Sequence, residues 1–270
     1  MKRDKITAPR LAKMKQRGEK ISVLTAYDYP WGRMIDEAGI DVALVGDSLG
    51  MVVLGYDTTL QVTMEDMVRH SAAVARGADR ALVVTDMPYL SYQITAEDAV
   101  RNAGRLVRDG GAQAVKLEGG AEFAQTVARI VSTGIPVVGH LGMTPQSVNR
   151  FGGYATQGTD PASAEHMAAD ALALQEAGVC AIVLEKVPAD LAARLTKTLE
   201  IPTIGIGAGP DCDGQVLVTH DILGLYDRFT PPFAKQYANL WRATVRAFKT
   251  YDKEVKNGEF PRRAQEDSCK

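Results

Sequence analysis

The chain has 270 residues, 46% of them apolar and 24% charged, with 31 Lys and Arg against 33 Asp and Glu for a net charge of −2. Such a near-neutral balance argues against a globally basic nucleic-acid binder and against a polyanionic disordered chain. No apolar run approaches the roughly 20 residues of a membrane helix, residues 1–20 lack the apolar stretch of a signal peptide, and Cys180, Cys212 and Cys269 show no metal-ligand or CxxC spacing, which together fit a reducing cytoplasm.

The first 20 residues are basic: Lys2, Arg3, Lys5, Arg10, Lys13, Lys15, Arg17 and Lys20 face only Asp4 and Glu19. That pattern predicts a solvated helix or a subunit contact in preference to an RNA-binding arm. Short β-branched apolar runs then predict strands over residues 21–26, 42–46, 81–85, 114–118, 136–139, 181–185 and 203–206, with a weaker one over 215–219 after a Gly- and Asp-rich link. Between them lie apolar residues at helical spacing, as over 121–133 and 162–177. Continuous apolar strands alternating with helices mean a parallel sheet covered on its faces. Eight such units in a chain near the typical length of about 250 residues predict a single (β/α)8 barrel. A doubly wound open sheet is the competing architecture, weakened by the absence of a GxGxxG turn after the first strand. No Pro/Gly/Ser-rich linker divides the chain, so one domain is expected over 1–270, its core about 21–250, with the basic segment 1–20 before it and a charged tail, 252–270, after it.

Polar groups close one strand after another: Asp28, Asp47 with Ser48, Asp86, Lys116 with Glu118, His140, Glu185, and the Gly-rich stretch 205–210. In a barrel these positions converge on one mouth, where catalytic groups sit. Helix capping accounts for one or two of them, since Asp and Ser favour that position, but not for six. Asp47, Asp86 and Glu118 would end neighbouring strands and repel one another unless a cation or protons intervene. With no His/Cys cluster nearby, a hard oxygen-preferring ion such as Mg²⁺ suits them better than zinc; capping roles are the alternative. Lys116 and Glu118 stand two apart on a strand and so share a face. A substrate carboxylate for the Lys and a metal for the Glu would offset their burial; a mutual ion pair is the other reading. Glu185 closes an apolar strand opposite the three acids, a position suited to a general base. His140 has two readings, a hydrogen bond to a substrate carbonyl or a satisfied polar residue. His70 and His166 fall in predicted helices and read as structural, and Cys212 lacks a basic neighbour that would activate it.

The stretches LTAYDYP at 24–30, LVGDSLGMVVLG at 44–55, TDMPYLSY at 85–92, VKLEGG at 115–120, GHLGMTPQSV at 139–148 and IPTIGIGAGPDCDGQVLVTHD at 201–221 occur in one order along most of the chain. Through them the sequence resembles the ketopantoate hydroxymethyltransferase family. That resemblance implies a (β/α)8 barrel which transfers a one-carbon unit from 5,10-methylenetetrahydrofolate to 3-methyl-2-oxobutanoate, and a homodecameric assembly. By motif, Asp47, Asp86 and Glu118 look like an Mg²⁺ site, Ser48 and Lys116 like ketoacid contacts with Asp47 and Asp86 beside the same substrate, Glu185 like the catalytic base, and His140 like a lining residue of that pocket. Gln61 and Tyr89 depart from the family pattern, where Pro and Phe are expected, and neither carries an assigned role. An Mg²⁺-dependent carbon–carbon lyase of the isocitrate-lyase-like type is the rival enzyme, but the KKCGH-type loop of such lyases is missing. A non-catalytic barrel used as a scaffold or sensor is the rival outside enzymes, and the intact polar strand ends count against it.

Overall fold

In a computed structural model of the chain, residues 4–261 are described. Among them eight parallel strands close into a barrel in sequential order: β1 (Ile21–Thr25), β2 (Val42–Val45), β3 (Leu82–Asp86), β4 (Ala114–Glu118), β5 (Val137–Gly142), β6 (Ala181–Glu185), β7 (Thr203–Ile206) and β8 (Gly214–Leu217), with β8 pairing back onto β1. The expected (β/α)8 barrel is therefore the fold. The strands are short and β-branched because both of their faces are buried, one against the lumen and one against helices.

The helices begin where polar caps dictate. In α1 (Ala8–Gln16) a Pro stands in the first turn, where its missing N–H costs nothing. Asp28 accepts from the N–H of Trp31 and starts α2 (Tyr29–Ala38), which Gly39 ends in the left-handed conformation. Thus Asp28 is a helix cap and not a member of the polar cluster. Ser48 precedes the short α3 (Leu49–Val52). Thr63 and Asp66 form a reciprocal capping box at α4 (Met64–Gly77), and Thr95 accepts from Asp98 N–H at α5 (Ala96–Arg108). There follow α6 (Ala124–Val131), the single turn α7 (Val148–Phe151), α8 (Pro161–Glu176), capped by Asp160, and α9 (Ala189–Thr198).

Strand alternation sorts the core into two bodies. Outward residues such as Ala43, Val45, Val83, Val115, Leu117, Ile182 and Leu184 pack against the helices. Inward residues Ile21, Val23, Val42, Leu44, Leu82, Val84, Val138 and Val183 fill the lumen together with Ile6, Leu11 and Met14. The basic N-terminal segment is thus no freely solvated helix. Its apolar side closes the N-terminal end of the barrel, and Lys15 fastens it by donating to the carbonyls of Thr196 (2.8 Å) and Ile201 (3.0 Å) and to Asp213 (2.9 Å).

The chain falls into two compact units, Met1–Val218 and Thr219–Lys270. All strands lie in the first. The second holds α10 (Thr219–Leu223) and α11 (Leu240–Lys256), a helix whose Trp241, Phe248 and Tyr251 are exposed. The charged tail begins inside α11, and its last residues, 262–270 with Cys269, lie outside the described residues. No helix among the described residues is long and apolar enough to cross a membrane.

Candidate active site

The period of two that fills the lumen with Val and Ile below also decides what stands above it. In β3, β4, β5 and β6 the parity that turns Val84, Ala114, Val138 and Val183 inward turns Asp86, Lys116 and Glu118, His140 and Glu185 inward one or two steps later. Parallel register then pairs them. Asp86 stands beside Lys116, and Glu118 beside His140, as direct Cα partners. The upper lumen is consequently a charged layer on top of an apolar one. His140 lies inside β5, which runs to Gly142 and not only to the expected 139, and Asp86 is likewise the last residue of β3 and not the first beyond it.

Each inward charge has an identifiable partner. Lys116 Nζ lies 2.9 Å from Asp86 Oδ1 and 3.3 Å from His140 Nδ1. His140 stands between two carboxylates, its Nδ1 at 3.3 Å from Glu118 Oε1 and its Nε2 at 3.2 Å from Glu185 Oε2. The alternative of a Lys116–Glu118 pair is not adopted: Lys116 takes Asp86 and Glu118 takes His140. Asp47, two residues beyond β2, joins through its backbone, its N–H donating to Asp86 Oδ2 at 3.0 Å. Ser48 shares a hydrogen bond of 2.9 Å with the Tyr27 hydroxyl, and the Tyr27 carbonyl is contacted in turn by His70 Nδ1 at 2.5 Å. His70 therefore supports the site at one remove, while His166 is exposed. All seven expected site residues thus stand at the C-terminal mouth. The five charged groups Asp47, Asp86, Lys116, Glu118 and His140 are at most 5% exposed, and Glu185 is more open with its side chain at 17%.

The electrostatics follow from that burial. Burial, then the charges of Asp86 and Glu118, push the Asp47 carboxyl well above its ordinary range. Burial works against the ammonium of Lys116, yet Asp86, Glu118 and Asp47 together hold it above an ordinary lysine. For Glu118 burial is outweighed by the hydrogen bond and charge of His140, by Lys116 and by the N–H of Gln146, so its carboxyl sits low. Burial and the nearby Lys116 pull His140 down, but Glu118 and Glu185 lift it to about 9, which makes it an imidazolium at neutral pH. Four carboxyl groups thus crowd around Lys116 and His140, and the mutual repulsion among Asp47, Asp86 and Glu118 is one that a further cation would relieve. The oxygen-only donor set of Asp47, Asp86 and Glu118 suits a hard divalent ion, and Oδ1 of Asp86 is buried beside Lys116 without an aligned hydrogen bond. Among the described residues no three His, Cys, Asp or Glu groups already stand together as a finished metal cage; Lys116 and His140 stand against the carboxylates, and Gln146 donates to Asp47 and Glu118.

Two residues without an expected role belong to this centre. Gln146, in the turn after β5, donates to Asp47 Oδ2 (2.9 Å) and through its backbone to Glu118 Oε2 (2.9 Å). Tyr92 meets both the backbone of Glu118 (3.0 Å) and the Gln146 amide (2.9 Å), and burial followed by the Glu118 charge holds its phenol well above the usual tyrosine range. Both lie in stretches quoted above, TDMPYLSY and GHLGMTPQSV, so their motif membership was the available signal. The thiols stay outside the chemistry: burial pushes Cys180 up to about 12 and raises Cys212 as well.

Residues 5–263 match the family model described as ketopantoate hydroxymethyltransferase. The chain is 61% identical over 259 residues to the 3-methyl-2-oxobutanoate hydroxymethyltransferase of Moorella thermoacetica, spanning 96% of each. It is 58% identical over 257 residues to that of Syntrophus aciditrophicus, spanning 95% of this chain and 94% of that one. Among solved structures it is similar to phosphonopyruvate hydrolase in complex with oxalate and Mg²⁺, with a TM-score of 0.62, 13% identity and coverage of 94% and 88%. A 2,3-dimethylmalate lyase, from the PEP mutase/isocitrate lyase superfamily, gives a TM-score of 0.60 at 16% identity and coverage of 93% and 88%. These two are likenesses of fold.

Proposed function

The chain belongs to the ketopantoate hydroxymethyltransferase family, and from that premise we propose how its residues carry out the reaction. It is an enzyme that adds a hydroxymethyl group to 3-methyl-2-oxobutanoate to make 2-dehydropantoate, a step of pantothenate synthesis. The observation that carries this reading is the 61% identity over nearly the whole of a 3-methyl-2-oxobutanoate hydroxymethyltransferase. The carbon comes from 5,10-methylenetetrahydrofolate: the C3–H bond of the ketoacid breaks, a C3–CH₂ bond forms, and water supplies the hydroxyl as tetrahydrofolate leaves.

Glu185, the most open of the inward carboxylates, takes the C3 proton. His140, held between Glu118 and Glu185, orients that carboxylate and supplies a positive charge beside the proton's destination. Lys116 and Ser48 hold the substrate carboxylate, with Asp47 and Asp86 lining the same side. Asp47, Asp86 and Glu118 would hold a divalent ion, for which Mg²⁺ is our choice, and when bound it supplies charge stabilisation for the enolate oxygen. The chemistry of the donor set and the mutual repulsion of the three carboxyl groups support that assignment. We further assign the enzyme to the cytoplasm, in keeping with the free thiols of Cys180 and Cys212, and to a homodecamer, in keeping with the exposed aromatic side chains of α11.

Purified protein given 3-methyl-2-oxobutanoate, 5,10-methylenetetrahydrofolate and Mg²⁺ will form 2-dehydropantoate; EDTA will abolish turnover and Mg²⁺ restore it. Full turnover by metal-free protein would contradict the three-carboxylate site. Cleavage of methylisocitrate in place of folate-dependent transfer would contradict the reaction itself.

A further inference from the structure

Gln146 is buried, 7% exposed, in the short turn Pro145–Ser147 that follows β5. Its amide is saturated. Nε2 donates to Asp47 Oδ2 and to the carbonyl of Met87, both at 2.9 Å, while Oε1 accepts from the Tyr92 hydroxyl at 2.9 Å and from Gln93 Nε2 at 3.1 Å. The same residue's backbone N–H donates to Glu118 Oε2 at 2.9 Å. The orientation of the amide is chemically determined. The NH₂ must face a carboxylate and a carbonyl, which only accept, and the oxygen must face the amide of Gln93, whose nitrogen only donates. A flipped amide would set oxygen against oxygen on one side and nitrogen against nitrogen on the other.

The two carboxylates so held come from different strand ends, Asp47 beyond β2 and Glu118 at the end of β4, with β3 between them. Left to themselves, like charges in a buried layer move apart or take up protons. A neutral group with two donors at fixed separation offsets that repulsion without adding a charge, and so holds both acids in place. A lysine there would compete with a metal ion for the same oxygens; a glutamine does not. Loss of a group that fixes a ligand from behind in this way typically costs about 10–100-fold in metal affinity.

We propose that Gln146 is a positioning residue that presets Asp47 and Glu118 for a divalent cation, with Tyr92 and Gln93 locking its amide in the required sense. The proposal rests on the metal-site reading given above. Gln146→Met keeps the size of the side chain and removes both side-chain donors. Isothermal titration of the metal alone into this variant will show Mg²⁺ bound about tenfold more weakly, the lower end of the range for such supporting groups. Its turnover will fall at low Mg²⁺ and recover toward wild type as Mg²⁺ is raised, a dependence that a packing defect would not produce. Tyr92→Phe removes the hydroxyl donor to Oε1, and will weaken Mg²⁺ by a smaller factor because Gln93 still holds that oxygen. Should Gln146→Met fail to fold by circular dichroism, Tyr92→Phe alone decides. Wild-type Mg²⁺ affinity in the folded variants, with Asp47→Asn and Glu118→Gln losing binding, would overturn the role of Gln146 and leave the metal site standing. Wild-type affinity in Asp47→Asn and Glu118→Gln as well would overturn both.

Discussion

Lys116 is the one side chain of permanent charge in a layer of four carboxylates, and its 2.9 Å contact with Asp86 is almost wholly shielded from water. Removing one member of a buried ion pair strands the other, at a cost of about 3–5 kcal/mol. Lys116→Met will therefore lower the unfolding free energy by about 3 kcal/mol in urea titrations, within that range, and will raise the KM for the ketoacid. An unchanged midpoint together with an unchanged KM would show that Lys116 neither pairs with Asp86 nor meets substrate. The presence of Lys116 and Glu118 on one face was legible from their spacing, since two residues along a strand return to the same side. Their partners were not. Asp86 and His140 are chosen by the stagger of neighbouring strands, which nothing in the run VKLE encodes. Gln146 was still less legible: its partner Asp47 lies 99 residues away, and a glutamine in a turn carries no local signature of what it will hold. Asp28 failed in the opposite sense, since a strand-end acid and a helix cap look alike until the N–H of Trp31 is seen to be its partner.

Strands and the helices between them were legible because burial on two faces leaves an unbroken apolar run. The expected stretch 114–118 is β4 itself, and 181–185 is β6. Ends were less so: β5 continues through His140 to Gly142, where the backbone turns at a φ of +93° that suits glycine, and a Cβ there would meet the Glu185 carbonyl at 2.2 Å. That carbonyl accepts from Met143 N–H at 2.8 Å, so the close approach of the two strands helps to fix the backbone at Glu185. The role of α1 was hidden because its three apolar contacts are scattered among lysines and arginines whose charges dominate the sequence. Leu11, 3% exposed, packs into the lumen at the far end from the mouth. Leu11→Ala will accordingly cost about 2–5 kcal/mol of stability, while kcat/KM at 25 °C stays near wild type. A stable variant with lost activity would mean that α1 acts on the site and does not merely close the barrel.

At the scale of the molecule, a parallel barrel brings every strand's C-terminal end to one mouth. Near-neutral overall charge conceals the result, because acids distant in sequence are gathered there while the basic residues mostly remain elsewhere. The same architecture divides labour: an apolar lower lumen sealed by α1 carries stability, and a charged upper layer holds the groups proposed for the chemistry. The central claim is that Glu185 takes the C3 proton of a ketoacid held in that layer. Its most direct test is the NMR signal of the C3 proton of 3-methyl-2-oxobutanoate in D₂O with Mg²⁺ and no folate. Wild-type protein will exchange that proton, and Glu185→Gln will bind the ketoacid but leave the signal intact. Undiminished exchange by Glu185→Gln, or none by the wild type, would contradict the account.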